Sequence, residues 1–149
     1  MMIYTKLTKK ALRISFEAHR NQIDRSGVPY VYHPYEVASH MDDEFSICVA
    51  LLHDVMEDAD ITPDYLREEG FPDEVIQAVM CMTHKEGVPY MDYIKGIKRN
   101  PLATKVKLAD LDHNSDLSRL DEPTPSDYFR SVKYKVAKGY LLADAGTKK

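Results

Sequence analysis

This chain of 149 residues has two cysteines, and they are not spaced as a CxxC pair. Cys48 and Cys81 both sit in apolar helical surroundings, so they read as reduced core thiols of a cytosolic protein rather than a disulfide or a redox pair. A large excess of either charge is also missing, since 20 basic and 24 acidic residues leave a formal net charge of −4. A long duplex nucleic acid is therefore not an expected partner, although a few basic side chains would suffice for a small anion. The longest apolar run, "ICVALL", is far too short to cross a bilayer, and "MMIYTKLTKKALR" has no apolar signal core. Strand-period alternation and solenoid-length repeats are missing as well. The tetrapeptide "GVPY" does occur twice, at residues 27–30 and 87–90, which turn chemistry alone can produce.

What remains is helical periodicity nearly throughout, which predicts an all-α single domain over residues 1–149. Helix one is expected at 8–23, with Leu12, Phe16, His19 and Ile23 on the core face. His33-Pro34 opens helix two, to about 41. A third helix runs over 43–58, a short fourth starts at Thr62-Pro63, and "FPDEVIQAVMCMTH", "YMDYIKGIKR" and "PLATKVKLADLDHN" supply the fifth to seventh. Thr124-Pro125 reads as N-cap and N1 of a C-terminal helix over about 125–145. Its Val132, Val136, Tyr140 and Leu141 either close the core or contact a second copy.

The third helix carries the chemistry. It is apolar on almost every side up to Leu52 and then presents His53, Asp54, Glu57 and Asp58 on one face. Carboxylates at a helix C-terminus meet the negative end of the macrodipole, and half-buried like charges are costly. A divalent cation relieves both problems. Asp60 fits a solvated exit into a loop. His33 is a further candidate ligand, held by Pro34 at the head of helix two. So is Asp110, which with Asn114 interrupts an otherwise core-like stripe beside Lys107. Two histidines and two aspartates from three helices make a first-row transition-metal site with room for water. Of the other histidines, His19 reads as core, His40 as surface or packing, His84 as a helix-end residue, and His113 as structural or supporting.

The ordered set His33-Pro34, "HDVMED" at 53–58 and "KLADLDHN" at 107–114 resembles the HD-domain metal phosphohydrolases. It is closest to the hydrolase domain of the alarmone (ppGpp) synthetase/hydrolases and to the stand-alone small alarmone hydrolases, and the likeness covers about residues 7–120. The resemblance implies an HD-type bundle of about seven to eight helices. It also implies one divalent ion, usually manganese, on His33, His53, Asp54 and Asp110. Glu57 and Asp58 would position and deprotonate the attacking water, and Asn114 would contact the nucleotide. The chemistry is coherent, because a cation and a neighbouring carboxylate together activate water against phosphorus. Arg25 and Lys107 are the expected cations for a pyrophosphate ligand, with Lys85 a solvated lysine as readily as a contact.

Several positions depart from the alarmone pattern. Asp24 stands where an arginine would face the base, Leu111 follows the third-motif aspartate, and Asp116-Leu117 replace arginine and threonine. The sequence therefore supports a cytoplasmic, metal-dependent hydrolase of a small phosphorylated nucleotide, most like guanosine-3′,5′-bis(diphosphate) 3′-pyrophosphohydrolase. An HD nucleotidase or phosphatase with another substrate is the alternative. A non-catalytic nucleotide- or metal-binding sensor and a purely structural bundle stand behind it. Neither a long nucleic acid nor a membrane is expected as partner; a homo-oligomer is compatible.

Overall fold

The computed structural model describes residues 2–143. Among them the chain forms nine α-helices: α1 Lys6–Ala18, α2 Tyr32–Ser39, α3 Glu44–Leu52, α4 Val55–Asp58, α5 Pro63–Glu68, α6 Asp73–Cys81, α7 Tyr90–Lys98, α8 Pro101–Asn114 and α9 Pro125–Leu142, with a 3₁₀ turn at Leu117–Arg119. The only β feature among the described residues is a single bridge between Ile23 and Pro29. The all-α expectation is met. No described helix is long and apolar enough to cross a membrane.

The helix starts follow from local chemistry. Asp43, Thr62, Asn100 and Thr124 each accept a backbone N–H from the first turn of their helix. Pro63, Pro101 and Pro125 occupy first positions where a missing N–H costs nothing. Thr5 and Thr8 close a capping box on α1, as do Thr124 and Asp127 on α9.

Helix α3 is the axis of the molecule, buried continuously from Ser46 to Leu52, and α1, α2, α6 and α8 pack around it. Each fully buried leucine or isoleucine here contributes about 1.5–3 kcal/mol relative to exposure. Cys48 lies in this core as a free thiol, and burial, reinforced by Glu44, pushes it up to about 12.

Two expected faces are different in the fold. Helix α1 stops at Ala18 and buries Thr8, Ala11, Ile14 and Ser15, while Phe16 and Ile23 are 51% and 68% exposed. Only His19 of the expected stripe is fully buried. On α9 the buried positions are Asp127, Ser131, Ala137 and Leu141, and Val132 and Val136 face outward. In both cases the helix docks on its smaller residues, which let the backbones approach.

Candidate metal centre

The expected third helix is interrupted. It ends at Leu52, His53 and Asp54 form the junction, and a separate four-residue turn, α4, begins at Val55. Glu57 and Asp58 therefore lie in the first turn of a new element, and the macrodipole objection raised by a continuous helix does not arise. The break aims His53. Its Nδ1–H donates to the Ala50 carbonyl at 2.6 Å, one of the terminal carbonyls that α3 leaves free. That bond fixes the tautomer and turns the Nε2 lone pair inward.

Three elements bring the donors together. His53 Nε2 lies 3.1 Å from Asp54 Oδ2 and 3.2 Å from Asp110 Oδ1. His33 Nε2, from α2, lies 2.7 Å from the same Asp110 oxygen, which α8 delivers. Donor atoms of His33, His53 and Asp54 all fall within 4.8 Å of one another. His33, His53 and Asp110 are buried, and Asp54 is partly so.

The surrounding bonds set which atom of each ligand faces the centre. His33 Nδ1 meets His113 Nδ1 at 2.7 Å. Burial, then His33 and Arg119, bring His113 down to about 4, so its neutral ring can accept the His33 Nδ1–H and leave His33 Nε2 as a donor atom. Lys107 donates to Asp110 Oδ2 at 2.8 Å and to the Tyr93 hydroxyl at 3.2 Å, so Oδ1 is the oxygen left for the histidines. Asn114 donates to that Oδ1 at 3.2 Å, and the Tyr30 hydroxyl donates to Asp54 Oδ2.

Burial works against charge throughout this cluster, and the neighbours outweigh it. Asp54 and Asp110 raise the His53 imidazole well above its ordinary range. The adjacent His53 holds Asp54 low, and the Lys107 ammonium with His53 holds Asp110 low. The residues fit a divalent cation: two inward imidazole nitrogens and two ionised carboxylates form a mixed nitrogen–oxygen donor set, each oriented by an outer partner.

Glu57 and Asp58 stand one turn past the junction, at the solvent edge. Glu57 Oε2 accepts the His84 backbone N–H at 2.9 Å, and Asp58 Oδ2 accepts from Gln22 Nε2 at 3.4 Å. Burial and the nearby Asp54 carboxylate raise both acids above their usual range, in Glu57 against the lowering effect of the His84 N–H. His84 is not a helix-end residue; α6 stops at Cys81, and His84 stacks on Tyr93 in the following loop, ring centroids 4.5 Å apart.

A cavity of about 290 Å³ opens beside His33, with Tyr30, Asn114 and Tyr134 in its wall. Arg25, Arg119 and Arg130 also line it. Arg25 and Arg130 both donate to Asp127. Arg119 donates to the His113 carbonyl at 3.2 Å, while its buried Nε has no partner. Arg119 and Arg130 were not legible as site residues, because they lie beyond the motif in a 3₁₀ turn and in α9. Asp24 folds its own turn: Oδ1 accepts from Ser26 N at 2.8 Å and Ser26 Oγ at 2.7 Å, and Oδ2 faces Arg119 at 3.5 Å. Lys107 lies in the buried ion pair rather than in the cavity wall, and Lys85 is exposed. The repeated "GVPY" is two turns of one design, with Gly27 and Gly87 at φ +88° and +86°, a conformation other residues rarely adopt. Their tyrosines go to the site region, Tyr30 onto Asp54 and Tyr90 against Tyr93 and Tyr134, where the Tyr90 hydroxyl is buried without a partner.

Fold and donor set together define a helical domain with a His, His-Asp, Asp centre. No family model matches the chain. Over 130 residues, 78% of this chain, it is 32% identical to a probable GTP pyrophosphokinase of Mycobacterium leprae, covering 16% of that protein. Over 123 residues, 68% of this chain, it is 34% identical to the guanosine-3′,5′-bis(diphosphate) 3′-pyrophosphohydrolase of Haemophilus influenzae, covering 17% of it. The protein of the same name from Aquifex aeolicus is 29% identical over 139 residues, 85% of this chain and 19% of that one. The chain thus spans less than a fifth of the length of these curated relatives. A solved structure, described as a metazoan ortholog of SpoT that hydrolyses ppGpp and plays a role in starvation responses, superposes with a TM-score of 0.77. That match covers 95% of this chain and 88% of the other at 23% identity, a likeness of fold. In sequence the chain is a relative of the alarmone pyrophosphohydrolases, and in fold it is the same helical domain.

Proposed function

We propose that the chain is a metal-dependent phosphohydrolase that releases the 3′-pyrophosphate of ppGpp-like nucleotides. The observation that carries this reading is the convergence of His33, His53, Asp54 and Asp110 beside an arginine-lined cavity, with Glu57 and Asp58 one turn away. The similarity to proteins named for ppGpp hydrolysis supports the choice of substrate.

His33, His53, Asp54 and Asp110 would hold one divalent cation, with manganese the first choice, and the ion supplies Lewis acidity and positive charge at the phosphorus under attack. The chain's own residues do the rest. Glu57 or Asp58 takes the proton of the attacking water, and a raised carboxylate is a better base near neutral pH than an ordinary one. Oxygen bonds to the 3′ phosphorus, the bond to the ribose oxygen breaks, that oxygen takes up a proton to become the 3′ hydroxyl, and pyrophosphate and a nucleoside diphosphate leave. Arg119, with an unpartnered Nε, and Arg130 offer planar donors that match phosphate oxygens.

A second reading rests on Asp24. Its carboxylate is spent on its own turn and on Arg119, at the position where the alarmone pattern places an arginine against the base, which favours a different nucleotide. Turnover by manganese-loaded protein on ppGpp, GTP, dATP and nucleoside monophosphates separates the two. Pyrophosphate from ppGpp alone supports the first reading, and release from another substrate supports the second. If Asp54→Ala keeps both metal content and turnover, the mechanism is wrong.

A further inference from the structure

A second concavity lies away from the metal centre, on the outer side of α1 and α2. It encloses about 680 Å³, within the usual range for small-molecule sites, and its surface is mainly apolar, built by Leu12, Phe16, Pro29 and Tyr32. Phe16 and Tyr32 stand beside each other there as large, exposed side chains, 51% and 61%. Two polar features break the apolar lining. Arg20 is committed to Glu17 at 3.1 Å, whereas Arg13 makes no ion pair with any described residue. His19 forms part of the wall, is buried, and its Nε2 has no hydrogen-bond partner.

The neighbours of His19 define what that nitrogen can accept. Gln22 donates through Nε2 to Asp58, so its Oε1 is the atom turned to His19 Nδ1, 2.9 Å away. An amide oxygen only accepts, so in the neutral ring Nδ1 carries the hydrogen and Nε2 is a bare acceptor. A buried acceptor left unpaired costs about 1–3 kcal/mol, and a ligand bearing an N–H or O–H would recover it.

We propose that this groove is a binding site for a small amphipathic anion: an aromatic or aliphatic body against Phe16 and Tyr32, an acidic group on Arg13, and a hydrogen-bond donor for His19 Nε2. None of the groove's groups is a metal ligand or one of the acidic pair, and its one link to them is His19 Nδ1, 4.0 Å from Asp58 Oδ2.

The probe is 8-anilinonaphthalene-1-sulfonate, which combines an aromatic body, a sulfonate and an N–H, titrated by fluorescence into the folded full chain. Saturable one-to-one binding is expected. Arg13→Ala should weaken it about tenfold, the scale of one charge-assisted hydrogen bond, and Phe16→Asp should abolish it. The uncharged N-phenyl-1-naphthylamine should bind wild type and Arg13→Ala alike. In long-range ¹⁵N imidazole spectra, His19 Nε2 should shift with probe occupancy. Both substitutions lie on exposed side chains, and circular dichroism confirms that each variant is folded; Arg13→Gln stands in should Arg13→Ala not be. Absence of binding, binding indifferent to both substitutions, or binding that leaves Nε2 unmoved overturns the proposal.

Discussion

Lys107→Met is the sharpest perturbation of the metal centre that leaves every candidate ligand in place. The ammonium is 8% exposed as a residue and lies 2.8 Å from Asp110 Oδ2. Burial opposes its charge, yet Asp110, with smaller contributions from Tyr93 and Tyr90, holds it well above the ordinary lysine range. Replacing it with an apolar chain of similar length leaves the packing and takes the ammonium from Asp110 Oδ2, while His33, His53 and Asn114 stay on Oδ1. Breaking one partner from a buried pair costs about 3–5 kcal/mol. For a domain of this size that is a fall of about 6–20 °C in Tm, a large share of a typical total stability. The assay is urea unfolding followed by far-UV circular dichroism at pH 7, on metal-free protein and again with saturating manganese. A cation on Asp110 compensates the lost ammonium, so manganese should restore more stability to the variant than it adds to wild type. A metal-free loss under about 1 kcal/mol, below the cost of leaving a buried carboxylate oxygen without its donor, would refute the reasoning. So would equal manganese effects on the two proteins. Were Lys107 chiefly a substrate contact, KM would rise instead while stability stayed put.

Three further expectations follow from the same geometry. His53 is raised in the folded metal-free state, so its contribution to stability is full below the unfolded imidazole range and is lost as pH rises through the folded value; Asp54 and Asp110 are lowered, and theirs is lost as pH falls below the ordinary carboxylate range. Manganese must displace the His53 proton, so calorimetry in buffers of different ionisation enthalpy should detect proton release on binding, and affinity should weaken as pH drops. Glu57→Gln and Asp58→Asn should keep bound metal, measured by elemental analysis, while the residue acting as base loses about a hundredfold to ten-thousandfold in kcat; unchanged turnover in both would remove the acidic pair from the mechanism. Tyr90→Phe deletes a buried hydroxyl that has no partner, so thermal unfolding should show Tm unchanged or raised, and a fall of several degrees would mean the hydroxyl is bonded after all.

Most of the helices were legible because their ends are written locally: Thr62-Pro63, Pro101 and Thr124-Pro125 stand where α5, α8 and α9 begin. The break in the third helix was not, because nothing between Leu51 and Met56 disfavours a helix locally. The chain turns there because His53 bonds the Ala50 carbonyl and because Asp110, a residue from α8, waits for its other nitrogen. The faces of α1 and α9 misled for a related reason, since periodicity identifies apolar stripes but not which stripe docks: Phe16 and Val136 are as apolar as the residues that do. The ligands themselves were visible as violations, polar groups interrupting core-like runs, and a violation carries its own signal. The arginines around the cavity break no local rule. Arg119 and Arg130 are ordinary side chains on ordinary turns until the fold sets them opposite Asp24 and Asp127. The same placement bears on substrate choice, because an arginine absent at position 24 is present beside it as Arg119, 3.5 Å from the Asp24 carboxylate. A pattern that compares position with position records only a loss there. The folded cavity instead holds an arginine whose Nε is unpartnered, supplied from a different element.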